Sequence, residues 1–371
     1  MSNLPKDFSD LPRDLAEEVL FKVVPVTSLR RVRSTCKKWN TLTRCRSFKK
    51  KHLGVQAKLA AKKREFMVVM MMDFRVYLMS VNLHNKVELC IERQGTLIFP
   101  NASDQILVRQ VFHCEGLLLC ILKDNPRIVV FNPYCGGQPR WIEATYSSYH
   151  RWQNFCYALG YNNSTKSHKI LSLFSADDHD GPEVVEFKIY DFNSCDSSWR
   201  VLDVDTRQDW VIIAVVSLSR EIHIETFGPR LPLPFEWCHE DTVTLSNVRD
   251  EQLAVLFQRE DSLQMEIWVT TKIGPNSVSW SSKFFLSVNT KVLTAVDDEF
   301  MFSYMASHFF IDEVKKVVVV FDRGKDSRMM RYTAYIIGQD ESFKEVNLGE
   351  SLDKFCAPFV CSYVPSAMQL E

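Results

Sequence analysis

Near residue 64 the spacing of the apolar residues changes, and that change divides the chain into two kinds of structure. Upstream, Leu29, Val32, Cys36, Trp39 and Leu42 fall at offsets 0, 3, 7, 10 and 13, one stripe of a helix. Leu11, Leu15, Val19 and Val23, with Leu20 and Val24 beside them, trace a second. Pro12 suits a first helical turn, Asp10 can cap it, and Asp14, Glu17 and Glu18 lie near its positive end. Pro25 ends that helix, Ser28 can cap the next, and a third helix is expected over about residues 43–53 with Phe48. Downstream, runs such as FMVVMMM (66–72), GLLLCIL (116–122) and VVVVF (317–321) are rich in β-formers and separated by Asn, Asp, Gly and Pro. This part reads as all-β. None of the runs is long enough to span a bilayer as a helix, and MSNLPKDFSDLPRDL lacks the apolar core of a secretory signal.

Charge divides at the same place. The net charge of −1 hides 17 Lys/Arg against 5 Asp/Glu in residues 1–64, and no acid lies between Glu18 and Glu65. Such asymmetry marks a modular chain. We divide it into a helical module (1–53), a basic linker (54–65), a β-rich domain (66–366) and a tail (367–371). Eleven cysteines at irregular spacing, without a C-x-x-C, point to reduced and mostly buried thiols rather than a disulfide framework or a zinc site.

The β-rich part repeats loosely. VVFNPYCGGQPRWIEA, KIYDFNSCDSSWRVLD, TTKIGPNSVSWSSKFFLSV and AYIIGQDESFKEVNLGE share a layout of strand, polar turn, aromatic, strand, which fits a short hairpin. HIETFGPRLPLPF reads as a degraded copy. Their aromatics, Trp141, Trp199, Phe227, Trp280 and Phe343, lie 58, 28, 53 and 63 residues apart. A period in the fifties suits a four-stranded propeller blade, and the length allows about six. The interval of 28 implies that roughly two strands are missing near residue 220, truncating one blade. A β-sandwich pair or barrel is the competing architecture.

The residues also carry a family resemblance. LPRDLAEEVLFKVVPVTSLRRVRSTCKKWNTL, followed by Phe48 and His52, resembles the F-box motif. FNPYCGGQPRWI, KIYDFNSCDSSWRVLD, FGPRLPLPF, QLAVLFQ, MEIWVTTKIGPNSVSWSSKF and CSYVPS are similar, in order, to the F-box-associated region of plant F-box proteins. The departure is near residue 220, where the strands that usually precede the FGP motif are absent. The resemblance implies a trihelical module that docks a Skp-type adaptor of a cullin-RING ubiquitin ligase, through Leu11, Pro12, Leu15, Leu20, Pro25, Leu29, Val32 and Trp39. The basic residues Arg30, Arg31, Arg33, Lys37 and Lys38 then form the exposed side of these helices and can steer docking onto an acidic partner. The expected function is a non-catalytic substrate receptor, in nucleus and/or cytoplasm, that holds an unknown target protein on its β-domain.

Two other readings compete. A basic nucleic-acid-binding module predicts phosphate contacts from CKKWNTLTRCRSFKKKHL. A degenerate F-box copy with a broken blade would have no working target site. Catalytic motifs are lacking: there is no P-loop, dinucleotide fingerprint, HExxH or GxSxG. His113, Cys114 and Cys120 alternate as in a buried strand, and DDHD (177–180) lacks calcium-loop spacing. No cofactor, metal or membrane partner is expected. Trp141, Trp199 and Trp280 are expected to plug between sheets. Trp152, Trp210 and Trp237, with Arg151 and Asp209, are the expected target rim, because aromatics and arginines dominate interface hot spots.

Overall fold

The computed structural model describes residues 11–63, 65–82, 90–97, 106–123, 127–135, 138–145, 155–162, 167–178, 181–193, 198–202, 232–238, 240–248, 252–274, 277–281, 285–293, 300–302, 308–324, 331–350, 356 and 358–368. The N-terminal module has four helices rather than three: α1 (Arg13–Val23), α2 (Leu29–Thr35), α3 (Lys37–Arg44) and α4 (Arg46–Lys63), with a 3-10 turn at Val26–Ser28. The single stripe expected over 29–42 breaks at Cys36, whose backbone is extended (φ −155°, ψ 159°). Ser34 Oγ and Thr35 Oγ1 donate to the carbonyls of Arg31 and Val32, both at 2.7 Å, and so compete with the helix at its last turn. Trp39 and Leu42 therefore belong to a different helix from Leu29 and Val32. Residues 54–63, read as a linker, continue α4, so the join to the β-domain is helical.

Among the described residues five antiparallel blades follow, four with four strands and one with five. Blade 1 holds β1 (Glu65–Met72), β2 (Arg75–Asn82) and β3 (Cys90–Thr96). Blade 2 holds β4 (Val108–Cys114), β5 (Leu117–Leu122), β6 (Arg127–Phe131) and β7 (Arg140–Glu143). Blade 3 holds β8 (Phe155–Asn162), β9 (Ser167–Asp178), β10 (Gly181–Asp191) and β11 (Trp199–Leu202). Blade 4 holds β12 (Thr242–Val248), β13 (Gln252–Gln258), β14 (Gln264–Gly274) and β15 (Ser277–Trp280), with β16 (Leu286–Asn289) also paired to β14 and leading into the short α5 (Thr290–Leu293). Blade 5 holds β17 (His308–Asp312), β18 (Val317–Gly324), β19 (Arg331–Gly338) and β20 (Phe343–Glu350). The last strand, β21 (Phe359–Ser362), returns to pair with β1, so blade 1 is built from both ends of the domain. The architecture is a propeller with five blades among the described residues, where the repeat spacing suggested about six. The truncation expected near residue 220 falls in 203–231, outside the described residues.

Both faces of each middle strand are covered, which is why these strands read as unbroken apolar runs. In β18, Val318 and Val320 pack toward blade 4, while Val319 and Phe321 pack toward blade 1; all four are fully buried. In β5, Leu118 and Cys120 face blade 1, and Leu117, Leu119 and Ile121 face blade 3. In β1, Val69 and Met71 face blade 2, and Val68, Met70 and Met72 face blade 5. Period-2 alternation here sorts residues between two dry seams, not between core and solvent. Blades 3 and 4 each carry a further apolar cluster, Leu173, Phe187, Ile189 and Leu202 in one and Val243, Val255 and Phe257 in the other; among the described residues these two do not merge.

The repeated hairpins are the third and fourth strands of a blade: β6–β7, β10–β11, β14–β15 and β19–β20. Trp199 Nε1 donates to the Glu143 carbonyl of the preceding blade at 2.8 Å, and Trp280 Nε1 to the Pro232 carbonyl at 2.8 Å. Trp141 departs from expectation: it is 42% exposed on the outer strand of blade 2 and plugs nothing.

Candidate functional site

The helical module buries one face and exposes another. Ala16, Leu20, Leu29, Leu42 and Phe48 form its core, with Leu11, Val32 and Trp39 packed against them half-buried. Leu20 and Leu29, two of the residues assigned to adaptor docking, are thus interior: 2% and 1% exposed. On the other side of α1, Leu15, Val19 and Val23 recur every four residues. Leu15 is 51% exposed, Val23 70% exposed, and Pro12 and Pro25 bracket the stripe at the surface. A helix that is apolar on both sides has one side left to cover. Lys38 Nζ donates to the Leu11 carbonyl at 2.8 Å and ties α3 to the start of α1. The Trp39 indole N–H is buried without a hydrogen-bond partner.

The basic residues are not all on the exposed side. Arg31, Lys37, Lys38, Arg44, Lys50 and Lys51 are exposed, but Arg33 and Lys49 are buried against the propeller. Arg33 Nη1 donates to the Tyr134 carbonyl at 2.7 Å. Burial lowers the pKa of its guanidinium from the ordinary value. His52 Nε2 lies 2.8 Å from the Val24 carbonyl and Nδ1 lies 3.0 Å from the Tyr134 hydroxyl. A carbonyl can only accept, so Nε2 carries a proton, and the Tyr134 hydroxyl lies between Nδ1 and the Lys49 carbonyl, 3.3 Å away. Burial lowers the pKa of this ring from the ordinary value. The sequence signal for this contact lay in FNPYC, but nothing in that motif says which helices meet it.

Of the expected target rim, Trp152, Arg151, Trp210 and Asp209 lie outside the described residues. Trp237 is 37% exposed just before β12. Antiparallel pairing puts the loops after the first and third strands of every blade on one face and the remaining loops on the other. The helical module meets the loop after β6, a third strand. Trp237 precedes a first strand, so it stands at the opposite face of the propeller.

Two thiols of the propeller interior are held protonated by their surroundings. Cys114 and Cys120 are buried, the first pushed up to about 12 and the second well above its ordinary range by desolvation. Among the described residues no group of three or more His, Cys, Asp or Glu is placed to hold a metal.

Comparison with known proteins is consistent with this division. A family model described as F-box domain matches residues 8–51, and one described as F-box associated beta propeller domain matches residues 67–224 and 218–370. This chain belongs to the F-box proteins with an F-box associated propeller. The Arabidopsis thaliana relative At3g23420 is 58% identical, covering 88% of this chain and 99% of its own length. F-box protein At3g19470 is 49% identical over 98% of this chain and 100% of its own; F-box/kelch-repeat protein At3g16740 is 47% identical over 98% and 99%, both from the same plant. The two propeller matches meet at 218–224, the place where repeat spacing suggested missing residues. The alignment with At3g19470 runs over 401 positions, more than this 371-residue chain holds, so that relative carries residues this F-box protein lacks. With At3g23420 it runs over 325 positions for 88% of the chain, which leaves no room for such an insertion.

Proposed function

We propose that this F-box protein is the substrate receptor of an SCF-type cullin-RING ubiquitin ligase, working without chemistry of its own. The observation that carries the reading is the two-sided α1. Its inner face is committed to the module's core, which packs on blade 2, and its outer side leaves Leu15 and Val23 exposed, with Val19 half-buried between them and Pro12 and Pro25 at the surface. A Skp-type adaptor would cover that stripe, and the exposed cations around it would steer an acidic adaptor onto it. Leu20 and Leu29 then act by shaping the docking face from beneath. The target protein would sit on the face away from the helices, where Trp237 stands. Catalysis would follow from effective concentration, the target's lysines being held near the conjugating module. The described cysteines are free thiols, which suits the reducing interior of nucleus or cytoplasm.

We read the gap near residue 220 as a short form that At3g23420 shares, with five blades in place of six. A target site on such a ring would draw on blades 4, 5 and 1, whose seams are fully packed.

The test is co-purification of the full chain with a purified Skp-type adaptor beside a Leu15→Asp/Val23→Asp variant. Capture of the parent alone supports the reading. A folded parent that fails to bind the adaptor but binds RNA or DNA with a steep salt dependence replaces it with the nucleic-acid reading.

A further inference from the structure

The F-box helices pack against the propeller at the 131–135 loop. Among the described residues, Tyr134 and Cys135 are the propeller residues in the buried cluster of the helical module. Apolar contact is non-directional and does not fix an angle between two bodies. Directional bonds surround it. Tyr134 receives Arg33 at its carbonyl and reaches His52 with its hydroxyl, so α2 and α4 are both gripped by one residue. Tyr134 is itself held by Asn132, which is 6% exposed. Asn132 Oδ1 accepts the backbone N–H of Tyr134 at 2.9 Å and of Cys135 at 3.0 Å. Its Nδ2 donates to the carbonyls of Ser366 at 3.0 Å and Met368 at 2.8 Å. Both amide hydrogens and two oxygen lone pairs are engaged, and exchanging N and O would set donors against donors.

The far end of this network is the C-terminal strap that follows β21. Tyr363 N donates to the Met67 carbonyl. The Ser366 hydroxyl donates to the Glu115 carbonyl across the β4–β5 turn. Gly116 there has φ +80°, and a Cβ on it would lie 2.3 Å from Ser366 Oγ. The strand that closes the ring, the strap, the 131–135 loop and the F-box are thus linked in series.

We infer that Asn132 is the positioning residue of a fixed joint: its amide holds the C-terminal strap, its carbonyl shapes the 131–135 loop, and together they set the orientation of the F-box on blade 2. Ring closure and F-box orientation are then one event, since the strap exists only where β21 is paired. That a fixed angle serves to present a target to a ligase rests on the receptor reading above; the joint itself does not.

The joint is read by the distance distribution between fluorophores carried on azido amino acids at exposed positions Lys22, on α1, and Val314, on blade 5, in the full chain. The parent gives one narrow distribution. Asn132→Ala, and separately a chain ending at residue 365, broaden it or add a second population, while hydrogen exchange in β18 and β19 is unchanged. Asn132→Asp, which keeps both acceptors but loses both donors, falls between. A broad distribution in the parent overturns the joint, and so does a narrow one that neither change disturbs. If Asn132→Ala fails to fold, the truncated chain decides alone. Adaptor co-purification is run on all of them: binding retained by loosened variants supports a joint separate from the docking stripe, whereas loss of binding restricted to the loosened variants, their helices still protected from exchange, overturns that separation. An adaptor that does not bind even the parent removes the receptor reading and leaves the distance result standing.

Discussion

The seams between blades and the joint between F-box and propeller are both buried contacts, built in opposite ways. The seam between blades 5 and 1 is dry and wide: Val319, Phe321, Ala334 and Ile336 meet Val68, Met70, Met79 and Val81, and a neighbouring apolar residue could replace most of them without changing what packs on what. The joint is polar. Arg33, His52, Asn132 and Tyr134 each make specific bonds there, and a residue of similar size without the same donors could not. Area holds the ring together; geometry aims the F-box. Stability and orientation should therefore separate under mutation.

The sharpest separation comes from Phe321, fully buried in that seam. Phe321→Ala should cost about 3–5 kcal/mol in urea unfolding of the full chain. Tyr134→Phe, which removes only a hydroxyl at the joint, should cost about 1 kcal/mol. Similar losses from the two would mean that the joint carries stability as the seams do. Gly116→Ala comes next. Its φ of +80° disfavours any Cβ, and the contact with Ser366 forces the strap away. We expect a loss of about 1 kcal/mol or more, with faster amide exchange at the strap than in β5.

Acid should weaken the seams before it weakens the exposed helices. His168 is buried between Tyr161 and Phe192 with its Nε2 unpartnered, and desolvation pushes its pKa down to about 4. His113 and His308, half-buried as residues, are pushed the same way by desolvation, to about 4. Near pH 5 the unfolded chain takes up protons at these sites that the folded chain refuses. Stability is therefore full above about pH 6.5 and falls as pH drops toward 4. Urea midpoints between pH 7 and 4.5 should show this slope, and His168→Phe should flatten it. A midpoint independent of pH in that window would show that these rings are hydrated in the folded state.

The same contrast explains what could be read from the sequence. VVVVF and GLLLCIL announce strands covered on both faces, because seam packing depends only on apolar character at every position. The hairpin aromatics Trp199, Trp280 and Phe343 mark the outer strands correctly, since each follows a polar turn. Blade number was misjudged because the length of the β-rich part was divided by a period in the fifties, whereas five blades share it among the described residues. The joint was not legible. Arg33 looked like one more surface cation beside Arg31, and only the fold brings it to a carbonyl 101 residues away. Leu20 and Leu29 were assigned to docking by resemblance to a motif, which does not say which of its apolar positions lie in the module's own core; both are buried there.

The smallest effect on stability belongs to the uncovered stripe, and it gives the strictest test. Leu15 and Val23 are exposed enough that Leu15→Ser/Val23→Ser should change unfolding free energy by no more than about 0.5 kcal/mol per site. Adaptor affinity should fall at least about tenfold, equivalent to about 1.4 kcal/mol, with the helical content and the F-box orientation unchanged. The companion Leu20→Ala should do the reverse first, lowering stability by about 2–5 kcal/mol through a cavity in the module's core, and affect the adaptor only as the helices loosen. If the two variants behaved alike, the outer and inner faces of α1 would not be distinct, and the docking surface would have to be sought on α3, around Trp39 and its buried, unpartnered indole N–H.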